Sequence, residues 1–137
     1  MRCPLSRTAV RANTDAIATV LGIGPGDVAM TTLPLFYSYG LSVLNTHLRR
    51  GATVVLQKRT MTERALWADL GTYGVTGFAL VPYHYEILRR LRFDPAEHPT
   101  LRKLTQAGGR LGPDAVLDLH RRMSAVGGSL SVMYGQT

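Results

Sequence analysis

The sequence predicts an α/β fold in which βαβ units alternate around a mainly parallel sheet. Short apolar runs with strand character alternate with longer stretches of helical periodicity, and glycine or proline separates nearly every pair. The alternation recurs at about 25 residues, the length of a strand, a crossover helix and two short loops. The motifs between elements differ, so the spacing reflects the fold and not an internal repeat.

Taken in order, Ser6 can cap a helix whose apolar face is Val10, Ile17, Val20 and Leu21. Gly22 to Asp27 turns the chain into a strand from Val28 to Leu35, with Pro34 stopping it. A helix from Gly40 to Arg50 directs Leu41, Leu44 and Leu48 inward and ends at Gly51. Thr53 to Leu56 reads as a short buried strand. Thr62 caps a third helix with Leu66, Leu70 and Tyr73 inward, closed by Gly74. Val75 to Val81 is a strand ended by Pro82, and Tyr83, Ile87, Leu88 and Leu91 form the face of the next helix. A polar connector, Asp94 to Thr100, leads to a strand from Leu101 to Ala107. Pro113 suits the first turn of a helix that buries Val116, Leu119, Met123 and Val126. Gly127 and Gly128 end it, and Ser129 to Met133 is the last strand.

A chain of 137 residues, 45% hydrophobic and 18% charged, has the composition of one modest globular domain. No apolar run reaches the roughly 18 residues of a membrane span, and the first residues lack the apolar stretch of a secretory signal. The composition is that of a soluble, cytoplasmic chain. The single cysteine, Cys3, cannot form an internal disulfide, and His47, His84, His98 and His120 have no metal-ligand spacing, so no metal site is expected. The net charge of +7 is dispersed in pairs, Arg49-Arg50, Lys58-Arg59, Arg89-Arg90 and Arg121-Arg122, mostly late in helices. That dispersal disfavours nucleic acid as a partner.

In parallel sheets ligands gather beyond the carboxyl ends of the strands. Three such loops carry the interesting residue types. In Gln106-Ala107-Gly108-Gly109-Arg110-Leu111, two glycines permit close backbone approach or positive φ, and no Lys-Ser or Lys-Thr follows as in a P-loop. Tyr134-Gly135-Gln136-Thr137 offers a flat ring for a base, a close approach, and a hydroxyl for a phosphate oxygen. Leu33-Pro34-Leu35-Phe36-Tyr37-Ser38-Tyr39-Gly40-Leu41 clusters three aromatics that can line an apolar pocket or join the core. The glycines at 22, 24 and 26 precede a strand, the wrong order for a dinucleotide loop.

In order and spacing these segments resemble the AMP-binding domain of the adenylate-forming superfamily. The Phe36 segment resembles that family's Leu-Pro-Leu-Phe-His-x-x-Gly-Leu stretch, and Ala107 to Leu111 its loop beside adenine and the acyl pocket. Tyr134 to Thr137 is similar to the start of its Tyr-Gly-x-Thr-Glu motif. Leu5-Ser6-Arg7 resembles the segment just after that family's glycine-rich phosphate loop, and Gly51-Ala52, Val75-Thr76 and Val81-Pro82 match recurring framework positions.

The resemblance implies an ATP-dependent carboxylate ligase. A carboxylic acid attacks the α-phosphate of ATP to form an acyl-adenylate, and coenzyme A or a carrier-protein pantetheine then takes the acyl group. It implies nucleotide contacts at Gly108, Gly109, Arg110, Leu111, Tyr134, Gly135, Gln136 and Thr137, with Tyr134 on adenine and Thr137 at the α-phosphate as the catalytic residue. It implies an acyl pocket at Phe36, Tyr37, Tyr39, Gly40 and Gly108. Tyr37 stands where the family often has histidine, which keeps bulk but not an imidazole. The Pro-Lys-Gly phosphate loop, the glutamate that usually binds Mg²⁺, and the C-terminal domain with its lysine are not in the sequence. Residues 1–137 are therefore expected to be a partial adenylation domain, inactive alone. The alternatives are a non-catalytic nucleotide- or acyl-binding remnant and a basic nucleic-acid-binding protein.

Overall fold

The computed structural model describes residues 4–135. Among these, α1 (Arg7–Val20) precedes β1 (Val28–Thr31), α2 (Ser38–Arg49), β2 (Thr53–Leu56), α3 (Arg64–Thr72) and β3 (Gly77–Leu80). There follow α4 (Pro82–Arg90), a 3-10 turn at Pro95–Glu97, β4 (Lys103–Gln106), α5 (Pro113–Ala125) and β5 (Ser129–Val132). The strands form one sheet in the order β2-β1-β3-β4-β5, every neighbour parallel. The α/β expectation is met.

Register gives the sheet two unlike faces. Val55, Met30, Phe78, Leu104 and Leu130 stand opposite one another across all five strands, forming a single large apolar row. Against this face pack Leu66 and Leu70 of α3, Tyr85 and Leu88 of α4, and Leu119 and Met123 of α5, all buried. Alternation along the strands puts Ala29, Gly77, Lys103 and Ser129 on the other face, with Thr31, Ala79, Thr105 and Ser131. The small residues there let α2 lie close through Tyr39 and Val43, and α1 packs behind α2.

Helix existence follows the sequence reading, but several buried faces do not. In α1 the buried residues are Thr14 and Ala18, while Val20 is 85% exposed. In α2 they are Tyr39, Gly40, Val43 and Thr46, and Leu41 and Leu48 are exposed. One physical reason covers both helices. Threonine is buried at little cost when its hydroxyl is satisfied within the helix, as Thr14 donates to the Val10 carbonyl at 2.8 Å and Thr46 to that of Ser42 at 2.8 Å. The helix α4 buries Tyr85 and Leu88, leaving Tyr83 and Leu91 exposed; Tyr73 after α3 is also exposed.

Boundaries shift as well. The strand β1 ends at Thr31, whose hydroxyl accepts from the Leu33 N–H at 3.0 Å and starts the turn early. The strand β2 lies at a sheet edge and is only half-buried. Glu63, not Thr62, occupies the cap position of α3, and its carboxylate accepts from the Thr60 N–H at 2.7 Å. Ser6 caps α1 as expected, accepting from the Ala9 N–H at 3.0 Å.

At the amino edge of the sheet a polar knot ties three strands. Asp27 accepts from the Gly24 N–H at 2.8 Å, the Thr76 hydroxyl at 3.0 Å and Lys103 Nζ at 3.0 Å. Burial raises the Asp27 pKa, but these hydrogen bonds outweigh it and hold the carboxyl below its usual range. The opposite, carboxyl edge is thereby left to the loops. The chain leaves β1 towards β2 and leaves β3 towards β4, so the strand order reverses between β1 and β3. Such a switch point opens a crevice beyond the strand ends.

Candidate functional site

The strands β4 and β5 are adjacent, with Gln106 paired to Val132 at their last position. Their outgoing loops therefore start side by side, and the Met133 N–H donates to the Gln106 carbonyl at 2.7 Å to carry the pairing one residue further. Between the loops lies a cleft of about 580 Å³. One wall is Gln106 and Gly108 to Leu111, the other Val132 to Gly135. The two segments expected to meet a nucleotide are thus brought together over the described residues. Gln136 and Thr137 lie outside those residues.

The glycine loop is held from three directions. Gly108 has φ of 78°, a left-handed conformation that favours glycine. A Cβ at Gly108 would overlap the Tyr37 hydroxyl and come within 3.1 Å of Val81 Cγ1, so the Tyr37 ring from the β1–α2 loop rests directly against it. At Gly109 a Cβ would come within 3.1 Å of Pro82 Cγ, the first residue of α4. From beneath, the Gln106 side chain, 1% exposed, donates from Nε2 to the Gly109 carbonyl at 2.7 Å. The loop ends in half-buried Leu111 and exposed Arg110. Arg110 is the only charged residue along the cleft and has no ion-pair partner among the described residues.

Of the aromatic segment, only Tyr37 and Tyr39 turn inward. Tyr37 stands edge-to-face with Tyr39 at a centroid distance of 6.5 Å. Tyr39 is buried, and its hydroxyl lies 2.7 Å from that of Thr105 on β4. Tyr85 reaches the Thr105 carbonyl from α4, donating at 3.3 Å. Burial pushes both phenols above the ordinary tyrosine value, so neither ionises near neutrality. Gly40 sits in the first turn of α2, where any Cβ would overlap the Pro34 carbonyl oxygen. Phe36 is 94% exposed. Phe36, Tyr39 and Gly40 do not line the cleft between β4 and β5; Tyr37 reaches it through Gly108.

Three features lie outside the sequence reading. Gln106 lies outside the nucleotide contacts the resemblance implies, yet it lines the cleft, and Val132 and Met133 join the cleft wall. A glutamine at the end of a central strand, two residues before a pair of glycines, is a signal that could have marked Gln106. His84 is a third. At the third position of α4 its Nδ1 accepts from the Val81 N–H at 3.3 Å, which fastens the helix start beneath Gly109. Burial lowers the His84 pKa and keeps the ring neutral.

The architecture recurs in solved structures. A complex of VinN with L-aspartate is 28% identical, with a TM-score of 0.78, covering 93% of this chain and 32% of that one. A malonyl-CoA ligase with methylmalonyl-CoA and AMP bound is 31% identical, TM-score 0.75, covering 97% and 29%. O-succinylbenzoate coenzyme A synthetase from Bacillus subtilis in complex with AMP shares the fold at 24% identity and a TM-score of 0.77, covering 93% and 25%. The chain spans about a quarter to a third of these structures. The AMP-binding enzyme family matches residues 3–137, nearly the whole sequence. With fold, loop order and sequence in agreement, this chain belongs to the AMP-binding family of adenylate-forming ligases.

Proposed function

We propose that this chain forms the adenine- and acyl-facing part of the active site of an ATP-dependent carboxylate ligase. The carrying observation is the cleft that brings Gly108 to Leu111 against Val132 to Gly135 at the ends of adjacent parallel strands. The exposed Tyr134 ring offers a flat surface for a purine. Arg110 supplies a planar cation suited to a phosphate or carboxylate oxygen. Thr137, one residue beyond Gln136, is assigned to the α-phosphate by its motif.

The reaction we assign has two steps. A carboxylate oxygen of the acid attacks the α-phosphorus of ATP and pyrophosphate leaves, giving an acyl-adenylate. A thiol, from coenzyme A or a carrier-protein pantetheine, then adds to the acyl carbonyl and AMP leaves. The malonyl-CoA ligase that holds both a coenzyme A thioester and AMP supports this reading. Tyr37, pressed against Gly108, closes the side of the cleft nearest α2 and would border the acyl group. Among the described residues no cluster of carboxylates, histidines or cysteines fits Mg²⁺, so no step is assigned to a metal ion.

Titration calorimetry with AMP tests the nucleotide half of the proposal. Saturable binding at one site, weakened in Arg110→Ala, is expected. Heats indistinguishable from dilution would contradict it.

A further inference from the structure

We infer that Gln106 is a positioning residue that sets the Gly109–Arg110 peptide so that the Arg110 N–H faces outward as a donor for a ligand oxyanion. The inference rests on the proposed nucleotide cleft only for the identity of that oxyanion. Its geometry stands without a ligand.

The peptide unit is planar and trans, so its carbonyl and its N–H point in opposite directions. The Gly109 carbonyl accepts from Gln106 Nε2 at 2.7 Å, on the buried side of the loop. The N–H of the same peptide, which belongs to Arg110, must therefore point away from the buried amide. No partner for it exists among the described residues. Flipping this peptide turns ψ of residue 109, and with glycine there, at a φ of 155°, the backbone alone gives little resistance on that side. Tyr37 and Pro82 confine the glycines sterically but do not choose which way the carbonyl points. The Gln106 amide makes that choice. Its nitrogen also lies 3.3 Å from the Ala107 carbonyl, so two carbonyls of the loop, those of Ala107 and Gly109, are held by one side chain. The outward N–H and the Arg110 guanidinium then sit on the same residue, a pair suited to one phosphate or carboxylate oxygen.

The test is amide NMR on the chain and two variants. In the unmodified protein the Gln106 side-chain amide should exchange slowly. The Arg110 N–H should shift on adding AMP or malonate, whichever supplies the oxyanion, and not with adenosine. Gln106→Met keeps the shape and removes the donor, so the Gly109 and Arg110 signals should move and AMP affinity should fall about tenfold. Gln106→Glu adds a readout that lost stability cannot mimic. A protonated carboxyl can donate to the Gly109 carbonyl and an ionised one cannot. The loop signals of this variant should approach the native ones in mild acid and depart from them as pH rises. His84, two residues after Pro82, is common to both proteins, so the unmodified chain is the baseline. Native loop signals in Gln106→Met would overturn the inference. So would a rapidly exchanging Gln106 amide in the unmodified protein, a measurement that needs no variant to fold. Absence of AMP binding with the predicted loop behaviour intact would instead count against the proposed function alone.

Discussion

The Tyr39 hydroxyl lies 2.7 Å from the Thr105 hydroxyl and joins α2 to β4 one residue before Gln106. The helix covering the small-residue face of the sheet is thereby fastened to the strand that carries the glycine loop. Tyr39→Phe keeps the ring and removes the bond, leaving Thr105 without its partner. A loss of about 1–2 kcal/mol is expected, read as a lower urea midpoint with an unchanged slope.

Gly108 and Tyr37 should couple energetically. Gly108→Ala must hold alanine at positive φ and push aside the Tyr37 hydroxyl. The expected cost is about 2 kcal/mol or more. In a Tyr37→Phe background the worst overlap is gone, leaving the backbone strain and the tight approach to Val81 Cγ1. The double mutant should therefore lose less than the sum of the singles, by about 1 kcal/mol. Additive denaturation midpoints would show that the contact is slack.

Protonation of His84 should loosen the start of α4. Its Nδ1 accepts the Val81 N–H only when unprotonated, and burial lowers its pKa from 6.5. The sign follows from proton uptake on unfolding. Between the folded and unfolded pKa values the unfolded chain binds more protons, so stability is full above about 6.5 and falls as pH drops below it. Half-buried His47 and His98 are shifted in the same direction and contribute likewise. His84→Gln keeps an acceptor at the third helical position without titrating. Melting temperatures at pH 7.5 and 5.5 should differ less in this variant than in the unmodified protein. An equal difference would remove His84 as a contributor.

Burial, not hydrophobicity, should rank the leucines. Leu80 is fully buried beneath α4, and Leu80→Ala should cost about 2–5 kcal/mol. Leu48 is 59% exposed on α2, and Leu48→Ala should stay within about 0.5 kcal/mol. Equal losses in chemical denaturation would mean that the face of α2 has been misassigned.

That contrast marks where the sequence was informative. Element order, the parallel sheet and the capping by Ser6 were readable because glycine and proline punctuate the chain and side chains follow simple periods. The faces of α1 and α2 were not. The rule that apolar residues turn inward passes over Thr14 and Thr46, whose hydroxyls are bonded within their helices, and over Ala18, which packs against Ile23 and Ala52. At the site, the meeting of the Gly108 and Tyr134 loops was foreseeable from strand adjacency. The contact of Tyr37 with Gly108 was not, since it depends on three-dimensional register between segments distant in sequence, and the inward hold of Gln106 depends on a loop conformation that residue types alone do not specify.

The central claim is that the cleft between the β4 and β5 loops receives the nucleotide. Photolabelling with 8-azido-AMP, followed by peptide mapping, tests it most directly. Label should fall on Tyr134 or on residues 108 to 111, and excess AMP should suppress it. Label concentrated elsewhere, or unaffected by AMP, would contradict the account.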